Sequence, residues 1–300
     1  MTSIHKLQYY IILLIFRLFA FFPLSVLHIF SRGFTFFIYT IFGYRKKVVF
    51  KNLRNAFPEK HEQEIKQIAK TFYKHLSSMI VENMFLRFAS SKKIQKSVIV
   101  ENIELFEELS MQGKNVIAMV GHLANWEFGS GVVPVLPFKG AVVYKKLSSA
   151  VFDKIYFEIR QRLGVTPVEM NDVFRMVVEW NKKSEPYLIS MVADQAPLYN
   201  EKNHWITFLN QETNVYVGSE KIARKFDIAV VYIELIRLKN GVHKITPFLI
   251  TANPKETKEF EITERYFQLL EKSIKKNPPY WLWSHRRWKH KRILPNKGKE

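Results

Sequence analysis

The stretch Asn115-Val-Ile-Ala-Met-Val-Gly-His-Leu-Ala-Asn-Trp-Glu-Phe-Gly129 constrains the fold more than any other part of the chain. Its apolar run, Val116 to Val120, is short and closed by Gly121, which predicts a buried strand. Polar chemistry follows at once with His122, Asn125 and Glu127. A glycine at a strand end lets the backbone turn where a side chain would crowd an approaching substrate. Open α/β sheets place their sites there, at the carboxyl ends of strands. His122 and Glu127 lie five positions apart, about 140° around a regular helix. They meet only if His122 sits in the turn before a helix and Glu127 folds back from its first turn. A carboxylate so placed would fix the imidazole tautomer and stabilise the imidazolium. A structural, hydrogen-bonded histidine is the alternative at such a position.

Downstream, strands are expected at 141–144, 165–168 and 187–192, alternating with helices at 148–163 and 172–183. A helix at 102–111 precedes the motif and another at 218–226 follows. Residues 228–237 and 242–250 read as an antiparallel pair turned by Asn240-Gly241, and 261–275 as a closing helix. This alternation predicts an α/β domain over residues 46–300, with a mixed, mostly parallel sheet flanked by helices. Ahead of it, residues 59–88 carry Ile65, Ile68, Phe72, Leu76 and Met79 at the spacing of one helix face. Glu82, near the end of that helix, reads as a solvated position, with a functional role as the alternative.

Residues 1–45 have a different character. From 7 to 42 they are apolar and aromatic, interrupted by Arg17, Pro23 and His28. Residues 7–30 are about long enough to span a bilayer. Arg17 and Pro23 complicate a simple span, so a hairpin lying in the membrane interface is the alternative. No small-residue cleavage site closes the run, and a second apolar stretch follows, which argues against a signal peptide. The cluster Arg45, Lys46, Lys47, Lys51 and Arg54 then favours a cytoplasmic location for the domain. Lys and Arg number 46 against 27 Asp and Glu, a net charge of +19. Such an excess calls for an anionic partner: a membrane surface, an acidic carrier protein or nucleic acid. No nucleic-acid-reading motif is present, so nucleic acid is not expected. The chain has no Cys, hence no disulfide and no thiolate metal site. It also has no Walker or dinucleotide fingerprint. No cofactor or metal is expected. Without Cys or a Gly-x-Ser-x-Gly elbow, no nucleophile for a covalent intermediate is apparent.

The phrase Gly121-His-Leu-Ala-Asn-Trp-Glu127 resembles the His-x4-Asp/Glu motif of the glycerolipid and lipid A acyltransferase superfamily, and most specifically its lipid A late acyltransferases. The resemblance runs from about residue 51 to 289. It includes Asn52-Leu-Arg-Asn-Ala-Phe-Pro58 and a closing Trp283-Ser-His-Arg-Arg-Trp-Lys289. It implies direct transfer of a fatty acyl chain from acyl carrier protein to a hydroxyl of a lipid A precursor, at the cytoplasmic face of the inner membrane. His122 would be the general base and Glu127 its orienting carboxylate, with Gly121 and Asn125 beside the substrate. Arg160 and Arg162, at a helix end before Gly164, would hold an acceptor phosphate in their guanidinium forks; a solvated basic helix end is the alternative. Lys145 and Lys146 stand where the family often has Arg, a departure at the same expected face. Asp194-Gln195 after a strand is assigned to substrate positioning, with a turn or cap as the alternative. His285 is a second candidate base without a spaced acidic partner, in a segment suited to packing or a headgroup interface. Two other functions fit these residues: acylation of a different polar lipid, such as a lysophospholipid or aminolipid, and non-catalytic lipid binding at a membrane.

Overall fold

Pro23 lacks the N–H that a helix interior needs, and the apolar N-terminus divides just before it. The computed structural model describes residues 2–183, 185–197, 204–238 and 241–292. In it, helix α1 covers Ser3–Ala20 and α2 covers Leu24–Thr35, running on into a π-helical turn at Phe36–Ile41. The stretch 7–30, open to a single span or to a hairpin, is therefore divided between two helices. By length and composition, Ser3–Ala20 and Leu24–Ile41 could each cross a membrane. Leu7, Leu14, Leu18, Phe21 and Phe22 face outward and are exposed. Tyr9, Phe16 and Leu27 point inward, into one cluster with Val81, Met84 and Phe85. Those last three belong to α4 (Glu62–Phe88), which follows α3 (Lys46–Ala56).

The chain continues through α5 (Ser91–Gln95), β1 (Val98–Val100), α6 (Glu104–Met111), β2 (Val116–Val120) and α7 (Glu127–Ser130). Then come β3 (Lys139–Tyr144), α8 (Ala150–Arg162), β4 (Thr166–Glu169), α9 (Val173–Trp180) and β5 (Tyr187–Val192). Strands β6 (His204–Phe208) and β7 (Gln211–Val215), helix α10 (Gly218–Phe226), strands β8 (Ala229–Arg237) and β9 (His243–Thr251), and helix α11 (Glu261–Lys276) complete it. Seven strands form one sheet in the order β1-β9-β8-β2-β5-β3-β4. Every pairing in it is parallel except β8 with β9. The protein is thus an α/β fold on a mixed, mostly parallel sheet. Asn240 of the expected β8–β9 turn lies outside the described residues.

β2 sits at the centre, between β8 and β5. Ile117 and Met119 pack on one face with Phe72 and Tyr73 of α4 and Leu270 of α11. Val116, Ala118 and Val120 pack on the other with Phe106 and Leu109 of α6. Both faces are covered, so alternate residues meet different layers and all five are apolar. The strands β1, β6 and β7 and the short helix α5 were not expected from the sequence. β1 has only three residues at the sheet edge, and β6–β7 forms a separate hairpin. Leu209 and Asn210 both have positive φ at its turn, 50° and 59°. Hairpin turns with two positive φ values normally carry Asn-Gly or a relative, a signal that Leu-Asn does not give.

Candidate active site

Strand register brings the first two site residues together. In the β2–β5 pair Val120 lies opposite Val192, and two positions beyond each stand His122 and Asp194. Asp194 is 1% exposed, and three donors converge on its carboxylate. Its Oδ1 lies 2.6 Å from His122 Nδ1. Its Oδ2 accepts from the His122 backbone N–H at 2.9 Å and from Trp281 Nε1–H at 2.7 Å. Burial pushes the Asp194 pKa up, but the charge and hydrogen bonds of His122, with Trp281, outweigh it and hold the carboxyl below its ordinary range. An ionised acceptor at Nδ1 places the ring proton there and leaves a lone pair on Nε2. The Gln195 side-chain nitrogen lies 2.8 Å from that Nε2 and donates to it.

The loop carrying His122 is held by the C-terminal segment. Ala124 N–H donates to Tyr280 O at 2.9 Å, and Leu282 N–H to His122 O at 3.1 Å, around a β-bridge between Leu123 and Trp281. Ala124 adopts φ 51°, a left-handed conformation that costs a non-glycine residue about 1–2 kcal/mol. These contacts offset that cost. Trp281, Trp283 and Arg287 are buried, and Arg287 donates to Asn214 O at 2.7 Å. The Trp-Arg segment is a packing element of the core. Gly121 is explained differently from the expectation: a Cβ there would come 2.5 Å from Leu270 Cδ1. A side chain at position 121 would therefore have to displace the Leu270 side chain of α11.

Glu127 does not meet the His122 ring. It opens α7, and its carboxylate takes both arms of Arg160, NH2 at 2.6 Å and Nε at 3.0 Å. Arg160 also lies over the rings of Tyr144 and Tyr156. The carboxylate that contacts the His122 ring is Asp194, which follows the neighbouring strand. Arg162 is spent elsewhere, donating to the carbonyls of Phe88 and Ala89 at the end of α4. Asn125 is fully buried and bridges to Glu82 and Asn83, while its Oδ1 accepts Glu127 N–H. It shapes the loop from behind. Glu82 is not solvated: it is fully buried, accepting from Arg237 Nε at 3.0 Å and Asn125, with His28 of α2 3.1 Å away. Helix α2 reaches this charge through His28, which a helical pattern alone does not reveal.

A cavity of about 740 Å³ opens over these groups. His122, Gln195, His285, Lys145, Lys146, Lys289 and the Glu127–Arg160 pair form its polar side. Val143, Met170, Val173, Met191 and Ile222 form an apolar side. Lys146 is paired with Glu169 at 3.3 Å. The site therefore combines a carboxylate-held imidazole, whose Nε2 lone pair meets only the Gln195 amide among the described residues, with cationic groups and an apolar recess that suits an acyl chain.

Comparison with known proteins agrees with this chemistry. The family model for bacterial lipid A biosynthesis acyltransferases matches residues 1–290. The chain is 21% identical over 251 residues to the lipid A biosynthesis palmitoleoyltransferase of Escherichia coli K12, covering 82% of this chain and 79% of that protein. It is 25% identical over 253 residues to a lipid A biosynthesis acyltransferase of Haemophilus influenzae, covering 82% of this chain and 78% of the relative. With a family match over nearly its whole length, the chain belongs to the bacterial lipid A biosynthesis acyltransferase family and is an enzyme that transfers acyl groups.

Proposed function

We propose that this enzyme moves a fatty acyl chain from the thioester of acyl carrier protein to a hydroxyl of a lipid A precursor, at the cytoplasmic face of the inner membrane. The observation that carries the mechanism is the Asp194–His122–Gln195 line at the cavity. An acceptor hydroxyl displaces the Gln195 amide from His122 Nε2 and gives its proton to that lone pair as the oxygen attacks the thioester carbon. Asp194 stabilises the imidazolium. The tetrahedral intermediate then expels the thiolate, which takes the proton back from Nε2. In this reading Asp194 replaces Glu127 as the orienting group, and Glu127 positions Arg160 on the cavity wall.

The partners follow from charge and shape. Lys145 and Lys289 line the cavity and suit a phosphorylated acceptor. The net charge of +19 favours both an acidic carrier protein and anionic lipid. Two apolar helices with outward-facing Leu and Phe support attachment to the membrane, and the basic residues after them support a cytoplasmic domain. Mass spectrometry of the product from an acyl carrier protein thioester and a lipid A precursor tests the reading. Acyl addition to the precursor is expected. Addition only to a lysophospholipid or aminolipid offered in the same mixture would replace the acceptor and leave the chemistry standing.

A further inference from the structure

We propose that His285 Nδ1–H is an oxyanion donor: it hydrogen-bonds the thioester carbonyl oxygen as negative charge develops there. The His285 ring lines the same cavity as His122. Its Nε2 accepts the backbone N–H of Ala196 at 3.3 Å. That bond occupies the Nε2 lone pair and fixes the proton on Nδ1, which has no partner among the described residues. No carboxylate orients the ring. It is therefore built as a donor and not as a second base.

Placement and rigidity favour this role. Ala196 directly follows Gln195, the residue on His122 Nε2. The His285 backbone is pinned by its N–H to Leu282 O at 3.1 Å, and its own carbonyl accepts Asn52 Nδ2 at 2.9 Å. Leu282 N–H in turn holds His122 O. Base and donor thus ride on one hydrogen-bonded unit, the preorganisation that makes such donors effective. Burial, and then the neighbouring His122, push the His285 pKa down to about 4. The ring stays neutral at physiological pH and donates a hydrogen bond without giving up its proton.

The step balances. The acceptor oxygen–carbon bond forms, the carbonyl π pair moves to oxygen, and His122 takes the hydroxyl proton. The oxyanion's pair then reforms the carbonyl, the carbon–sulfur bond breaks, and the thiolate leaves with the His122 proton. His285 keeps its proton throughout.

The proposal rests on the acyl-transfer reading, and its test separates the two. Single-turnover and steady-state rates are measured on the full chain with an acyl carrier protein thioester and a lipid A precursor. Leu and Asn are close in shape, but only Asn retains an N–H near the Nδ1 position. His285→Leu is expected to lower kcat by about 10²–10³ with little change in either KM, while His285→Asn stays within about tenfold of wild type. His285→Ala is a second donor-free variant if Leu prevents folding, judged by thermal unfolding. Wild-type kcat in the donor-free variants, equal losses in Asn and Leu, or a loss confined to KM would overturn the assignment. No thioester consumption by the wild-type protein would instead overturn the acyl-transfer reading on which it stands.

Discussion

Replacing Asp194 by Asn changes one atom's chemistry in a site where all three neighbours are donors. Oδ2 accepts two of them, His122 N–H and Trp281 Nε1–H, and Oδ1 faces His122 Nδ1. An amide must put its NH2 at one of these positions. At the Oδ2 position it would oppose two N–H groups inside a buried site, so it takes the Oδ1 position and faces the ring. There it donates to Nδ1, which forces the proton onto Nε2, and the base can no longer accept one. A similar exchange beside a catalytic histidine costs on the order of 10⁴ in kcat, about 5.5 kcal/mol of barrier. We expect Asp194→Asn to lose about 10³–10⁴ in kcat, with donor and acceptor KM nearly unchanged, in a steady-state transfer assay. Glu127→Gln is the control. It leaves Arg160 partly buried without its partner, so it should lower the thermal midpoint by the equivalent of about 3–5 kcal/mol. Near-wild-type kcat for Asp194→Asn, beside a folded but inactive Glu127→Gln, would refute this reasoning and return the orienting role to Glu127.

Lys145→Gln should raise the acceptor KM, with a difference that shrinks as salt rises, whereas Arg162→Gln should leave both KM values unchanged because its guanidinium is spent on α4 carbonyls. The reverse pattern would return the phosphate to Arg162. Deleting residues 1–42 removes His28 and Leu27 from Glu82 and α4, so the truncated protein should leave the membrane fraction and also unfold at lower temperature; an unchanged midpoint would contradict the packing. His75 and His243 are buried, and burial first of all lowers each pKa from 6.5 to about 4. Their unfolded forms bind protons first, so stability is full above about pH 6.5 and falls towards pH 4, by up to roughly 1.4 kcal/mol per pH unit per histidine; flat denaturant midpoints from pH 7 to 5 would rule this out.

The centre of the fold was legible because β2 is covered on both faces, which writes an unbroken apolar run ending at Gly121 and His122. Asp194 was visible as a residue at a strand end, but its bond to His122 depends on the register of strands carrying residues 72 positions apart. No local pattern encodes that register. Glu127 drew attention through nearness in sequence, while the left-handed Ala124 and the start of α7 aim it at Arg160. Glu82 reads as surface on a helix that presents one apolar stripe. Its partners His28 of α2 and Arg237 of β8 come from 54 and 155 residues away. Trp283 and Arg287 suit an interface by composition, yet the segment closes the core against the His122 loop.

The central claim is that the imidazole of His122 removes the acceptor proton during acyl transfer. Purified wild-type protein and His122→Ala, matched for thermal stability, are given an acyl carrier protein thioester and a lipid A precursor, and the precursor's mass is followed with time. Addition of one acyl chain is expected from the wild type and none above background from His122→Ala. Equal rates of mass increase from the two proteins would contradict it.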